Sequence, residues 1–471
     1  MNLRLGLIVS AVALVSVAAV QRPPAPPSTS QNPPAPTILF EGARLISGTG
    51  DAAIEPSAFL VQDGLLVRVG AQGTVTAPRG ASRVDLSGTT VMPTLISTHV
   101  HPGFQRGLTY EAANFTRETV LDDLTRALYF GVSVVQSQGI EPGNVLEQIR
   151  ADQRTGPLAG VRLLVAGRGI GAPNAGPGGA VFAGIAYEVT SEAQARRSVA
   201  ELAAQKVDIV KIWVDDRNKR APRLSPALYR AVIDEAHKRR LRVTAHVFYH
   251  EDAVDLVSAG VDGFAHLVRD MEMSDALVAA IVKRGVFMQG NLSSPQRATV
   301  AGRPAWLAPA SPMLTLLRAS TPGDVVDRMV GAFARRDPKA AAAAGERYAI
   351  LERSVAKLQK AGARIVLGAD TGLEDHLFGL AEHLELEAMV RAGLTPMQAI
   401  VAATSRGAEY LKLADRGALA PGKRADFVVL DANPLDDITN TRRLSRIFID
   451  GQERDRAAMG RWLMRATRTA K

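Results

Sequence analysis

The chain has 471 residues, 46% of them apolar and 22% charged, enough to bury a core and too much for a disordered or fibrous polymer. Cysteine is absent, which excludes disulfides, thiolate zinc sites, thiol nucleophiles, iron–sulfur clusters and a lipid-modified N-terminal cysteine, so any metal must be held by nitrogen and oxygen. The formal charge of +9 comes from 56 basic and 47 acidic residues along the whole chain, and with 5% aromatics and no recognisable nucleic-acid module it reads as solubility, not a nucleic-acid partner.

Residues 1–20 carry one charge at Arg4, an apolar run from Leu5 to Val20 and a small-residue stretch, Val17-Ala18-Ala19, the pattern of a secretory signal peptide. Export to a periplasm or the medium follows; an uncleaved anchor is the alternative, although the run is short for a spanning helix. No later run is as long, so no membrane association is expected after cleavage. Residues 21–36 are a proline-rich spacer. Residues 37–90 show short strands with turn residues, including Asp63-Gly64 between two apolar runs, a hairpin signal. A similar texture returns over 406–455, so the two ends are expected to form one small β-sandwich domain. Residues 456–471 read as a basic tail.

Between the ends, over 91–405, apolar runs at 91–96, 132–135, 161–166, 209–214, 242–247, 263–265, 286–288 and 365–367 alternate with amphipathic stretches. Eight such units predict an α/β chain folded as a (β/α)8 TIM-like barrel, whose strands are buried on both faces and whose chemistry sits at their C-terminal ends. The glycine-rich run 167–179 is not followed by a helical pattern and reads as a rim loop, not a phosphate cradle. Residues 291–338, with Trp306, Leu307, Met313, Leu314, Leu316 and Leu317, form a long insertion expected to act as a lid or a dimer surface; homo-oligomerisation is left open.

The strand ends carry polar residues that a barrel core does not need. The first run leads into His99-Val100-His101, and side chains two apart on a strand face the same way, so both imidazoles can reach one metal. The fourth holds Lys211 in an apolar setting, where an unpaired ammonium is costly. It either pairs with Asp215 or Asp216, reaches solvent, or is a neutral amine carboxylated by carbon dioxide to a carbamate that bridges two metals. The fifth ends at His246 and the sixth at His266. The eighth is followed by Asp370, a helix cap or a metal-bound general base. Of eight histidines, four occupy strand ends; His237, His250, His376 and His383 fall in helices or loops, His237 as a structural residue and His376 and His383 as candidates for the pocket wall.

The ordered set His-x-His, Lys, His, His, Asp resembles the amidohydrolase superfamily, as do the opening run Val91-Met-Pro-Thr-Leu-Ile-Ser-Thr-His99-Val-His101 and the closing Gly417-Ala-Leu-Ala-Pro-Gly-Lys-Arg-Ala-Asp426. The resemblance covers about residues 37–455 and is nearest to the imidazolonepropionase-related and Xaa-Pro or Xaa-Arg dipeptidase-like hydrolases. It implies a metal-dependent hydrolase with two divalent ions, zinc by ligand type, and a carboxylated Lys211. His99, His101 and Asp370 would hold one ion and His246 and His266 the other, with the carbamate bridging. A hydroxide shared by the ions would attack an amide-like C–N bond of a small molecule (a peptide, N-acyl amino acid or cyclic amide), with Asp370 as general base and then acid. Thr94 and Ser97 depart from the family's Gly and Asp, and Phe248 stands where dipeptidase-like members have Tyr, with Tyr249 beside it. Tyr249 and Arg269 are the candidate substrate-binding residues, Arg269 for an anionic group. A lactonase or esterase on the same ions, a mononuclear deaminase, and a non-catalytic binding scaffold are the alternatives. The deaminases generally have Glu where this chain has Tyr249.

Overall fold

The computed structural model describes residues 37–143, 145–153, 160–177, 182, 184–373 and 375–466. The expected signal peptide and proline-rich spacer lie outside them. In the central part, Leu95–Val100, Val132–Ser137 and Arg162–Leu164 run parallel in one sheet. Ile209–Val214, Arg242–Val247, Gly263–Phe264, Phe287–Gln289 and Arg364–Val366 run parallel in another. Backbone bonds link the two sheets. Asp208 N donates to Val165 O at 2.8 Å, while Thr98 N donates to Leu367 O at 2.8 Å and His101 N to Thr371 O at 2.7 Å. Helices separate the strands, giving an α/β, TIM-barrel-like arrangement. Four of the strands, including Leu95–Val100 and Ile209–Val214, are buried or nearly so throughout, as an apolar run without alternation requires.

Local chemistry sets the helix boundaries. Thr116, Ser191 and Ser274 cap Arg117–Tyr129, Glu192–Ala204 and Asp275–Arg284 by accepting a backbone N–H three residues on. Gly260 and Gly285 end helices in the left-handed conformation. Thr395 and Gln398 form a reciprocal capping box with Pro396 at the first helical position.

Two further sheets lie at the chain ends, the first made of N-terminal strands and the second of strands from both ends. One is Leu65–Ala71, Ser57–Gln62, Ile38–Glu41 and Ser82–Asp85; the other is Arg44–Leu45, Thr90–Pro93, Phe427–Leu430, Leu444–Ile449 and Gln452–Glu453. Between them Phe40 stacks on Phe59 at 5.0 Å and Phe427 on Phe448 at 4.5 Å, with edge contacts between the two pairs. Asp63 and Gly64 both have positive φ, as a two-residue hairpin turn between its strands needs.

Three expectations change. The run 91–96 is not one strand: Thr94 N donates to Asp426 O while Leu95 N donates to Gly131 O, so consecutive amides enter different sheets and the chain passes from Thr90–Pro93 into Leu95–Val100. The apolar residues of the insertion are not a surface. Leu307, Met313, Leu314, Leu316 and Leu317 are buried with Tyr129, Phe130 and Leu463, inside this chain. The segment read as a basic tail holds a helix, Arg456–Ala466, which packs on Arg117–Tyr129 and Pro312–Ser320. Among the described residues no helix is long and apolar enough to cross a membrane.

Candidate metal centre

His99 and His101 leave the first central strand on one face, with Nε2 atoms 3.3 Å apart. Asp370 meets them: its Oδ1 lies 2.9 Å from His101 Nε2 and 3.3 Å from His99 Nε2. The turn that brings it there is tight. Asp370 has φ +56°, and Gly372 has φ +96° with a would-be Cβ 2.3 Å from His101 O, so only glycine fits beside the ligand backbone. His99 Nδ1 lies 3.0 Å from Gln289 Oε1 and 2.8 Å from Asn291 Nδ2. It cannot serve both as one proton state. Donating to Gln289 leaves the lone pair on Nε2, facing Asp370.

Burial, reinforced by the charge of Lys211, lowers His99 to about 3, so the ring is neutral. Burial alone would raise the Asp370 carboxyl, but hydrogen bonds with His101 and His99 hold it well below the usual carboxylate range. Two imidazole nitrogens and a carboxylate oxygen converge within 3.3 Å. Two imidazoles and a carboxylate in that geometry fit a divalent cation.

The opposite side is built from the fourth, fifth and sixth strands. The His266 ring centroid lies 5.1 Å from His99 and 4.6 Å from His246, and ligand atoms of His99, His266 and Asp370 fall within 4.8 Å of one another. His246 Nε2 is 2.9 Å from Asp215 Oδ2; donating there leaves Nδ1 free to ligate. Burial, with Arg269 adding to it, holds both rings well below the ordinary histidine value. Lys211 is 1% exposed, and its ammonium lies 5.8 Å from the Trp213 ring centroid. Gly139, at φ +88°, passes so close that a Cβ would sit 2.8 Å from the lysine stem. Burial lowers Lys211 to about 7, and Arg217 and Arg269 add to that against the pull of Asp370 and Glu141. Neither acid considered from sequence is its partner: Asp215 is engaged by His246 and Arg217, and Asp216 accepts from Tyr249 Oη at 3.0 Å.

Comparison with known proteins fixes the lineage. Residues 90–454 match the Amidohydrolase family. The chain belongs to that family. As an amidohydrolase it is a hydrolase of carbon–nitrogen bonds. An uncharacterized protein of Mycobacterium tuberculosis is 26% identical over 334 residues, 70% of this chain and 76% of its own length. The imidazolonepropionase of Deinococcus deserti is 41% identical over 86 residues, only 18% of this chain and 21% of that protein. A solved Xaa-Pro dipeptidase with bound methionine superposes with a TM-score of 0.69 at 19% identity, covering 89% of this chain and all of that one. At that identity it supports the α/β TIM-barrel-like fold alone.

The remaining histidines of this amidohydrolase serve structure. His383 bonds Thr441 Oγ1 and Phe130 O, His250 bonds Ser274, and His237 pairs with Asp262. His376 sits behind Asp370, with Nδ1 3.3 Å from its carbonyl. Arg269 is half-buried, not a solvated loop residue; its backbone N donates to Phe248 O and its guanidinium lies 5.9 Å from that ring. Sequence reading passed over Gln289, which ends the seventh strand, and Asn291, although they share the spacing of two that marked His99 and His101. It also passed over Glu141, 3% exposed with neither carboxylate oxygen hydrogen-bonded, and pushed up to about 8 by burial. A lone Glu four residues past a strand gives no pattern to read.

Proposed function

We propose that this amidohydrolase cleaves an amide-like C–N bond of a small molecule (a peptide, an N-acyl amino acid or a cyclic amide) at two divalent ions, zinc by ligand chemistry. The observation that carries this is the convergence of His99, His101 and Asp370 with His266 against the same group. His99, His101 and Asp370 would hold one ion, His246 and His266 the second. Bound divalent ions lower the pKa of water and polarise a carbonyl. The rest is the work of side chains. Asp370 accepts the proton of the attacking water and returns it to the leaving nitrogen. Lys211, lowered by burial to about 7 and so in part a free amine at neutral pH, would add to carbon dioxide, forming an N–C bond as one C=O π bond opens and passing its proton to solvent, and the anionic carbamate would offer oxygen ligands to the ions. Asp215 and Gln289 orient the rings that ligate.

The finer architecture we propose is a closed (β/α)8 barrel whose mouth carries these groups, joined to a β-sandwich made from both chain ends. Residues 1–20 would direct export to the periplasm or medium. Arg269 would meet an anionic group of the substrate. Among the described residues it has no acid partner, and the nearest carboxylates it feels are Asp370 and Asp215. Tyr249, whose hydroxyl already donates to Asp216 and whose ring carries Arg223 at 4.8 Å, would line the rim.

The test is hydrolysis of dipeptides, N-acyl amino acids, cyclic amides, lactones and aminopyrimidines, each with and without chelator. Chelator-sensitive amide cleavage is expected. Cleavage of the lactones alone, or ammonia release from aminopyrimidines alone, would replace the reading with an esterase or a deaminase. With an anionic substrate, Arg269→Ala should raise KM at least tenfold and leave KM for the corresponding neutral amide unchanged; equal KM changes for both would remove Arg269 from the pocket.

A further inference from the structure

The helix Leu380–Arg391 lies behind the metal centre and carries two fully buried carboxylates one turn apart, Glu382 and Glu385. Glu382 Oε1 accepts from Ser97 Oγ at 2.8 Å and from Thr371 Oγ1 at 2.7 Å, and Oε2 accepts from Gly379 N at 2.7 Å. The last bond caps the helix, an ordinary use for Glu in a first turn. The other two have no part in capping. They join the first central strand to the turn after the eighth, and each donor adjoins a proposed ligand: Ser97 lies two residues before His99, and Thr371 follows Asp370 directly. The same Thr371 donates its N–H to His99 O and accepts at its carbonyl from His101 N. Four hydrogen bonds around one threonine and one carboxylate thus set the distance between Asp370 and the histidine pair.

A buried acid without a basic partner is costly unless donors replace water. Glu382 has three donors and no ion pair among the described residues, and burial still raises its carboxyl above the ordinary value. A capping role would not need that burial. Glu385 makes the parallel arrangement on the neighbouring loop, accepting from Leu292 N at 2.9 Å and Ser293 N at 2.6 Å, just past the Gln289 and Asn291 that face His99.

We propose that Glu382 is a positioning residue of the metal centre, a buried carboxylate that clamps Ser97 to Thr371 and so fixes Asp370 against His99 and His101. It touches neither metal nor substrate. The proposal rests on the metal-dependent reading above, and its test separates the two. The full chain is loaded with zinc and the rate of zinc loss to an excess of chromogenic chelator is followed, alongside the melting curve and a kcat and KM measurement. Glu382→Gln, which keeps the volume and one acceptor but turns an amide N–H toward its donors, should release zinc about 10–100-fold faster, with a lower kcat and an unchanged KM. Thr371→Val should reproduce part of this and Thr371→Ser, which keeps the hydroxyl, should not. Ser97→Ala combined with Glu382→Gln should be no worse than Glu382→Gln alone. If Glu382→Gln fails to fold, Thr371→Val and Ser97→Ala carry the test. Zinc release unchanged in the folded variants would reduce Glu382 to a helix cap and overturn the proposal. A parent chain that binds no zinc would overturn it together with the metal-dependent reading.

Discussion

The two sides of the candidate centre are built differently. The side made by the first and eighth strands carries most of the bonds: His99 to Gln289, Asp370 to both imidazoles, Thr371 to Glu382 and to the ligand backbone, with His101 Nδ1 left unpaired. On the side made by the fourth to sixth strands, His246 has Asp215, but Lys211 is a buried amine without a hydrogen bond or ion pair among the described residues. A side whose ligands are tied to one another and to the backbone by so many bonds is preorganised for a cation. A side that keeps a buried amine unmatched is the one to which the proposal assigns a carbamate. The contrast places rigidity at Asp370, the proton carrier of the proposed reaction, and adjustability at Lys211.

The contrast can be broken in stages. Asp370→Asn keeps the shape and removes both the charge and the proton acceptor, so kcat should fall by about 10²–10⁴-fold, read in a chelator-sensitive amidase assay. Lys211→Ala should leave the first side able to bind, so metal analysis should show one ion per chain in place of two, with activity largely lost; two ions retained would show that the lysine does not bridge. Asp215→Asn and Gln289→Leu each remove the partner of one ligating ring. Either should weaken metal binding about 10–100-fold, and the two losses should fall on different ions, distinguishable by titration. At the far end of the molecule, Phe427→Ala should cost about 3–5 kcal/mol of stability in a denaturant melt while the metal affinity of the folded protein stays the same.

The side that the sequence showed most clearly was the one with a repeating geometry. His99 and His101 at a spacing of two, and His246, His266 and Asp370 at the ends of apolar runs, could be picked out because a buried strand has no other use for them. Their convergence follows from parallel strands ending at one rim. Of the residues that hold them, only Gln289 and Asn291 shared such a spacing. Glu382, Glu385, Gln289 and Asp215 act through hydrogen bonds between segments far apart in the chain, and a Glu in a helix reads as solvated unless the helix is known to be buried on all sides. Periodicity also misplaced the break at Thr94, because a run buried in two successive sheets looks like a single strand. The insertion misled for a related reason: apolar residues on a long connection suggest an interface, and here the interface is with this chain's own C-terminal helix.

In the proposed reading, imidazoles and a carboxylate gathered by parallel strands hold the cations on which C–N bond hydrolysis depends. The most direct measurement is elemental analysis of the full chain before and after dialysis against chelator, paired with activity on its best amide substrate. About two divalent ions per chain, activity lost with them, and activity regained in proportion to added zinc are the predicted result. Full turnover by protein stripped below one ion in ten chains would contradict it.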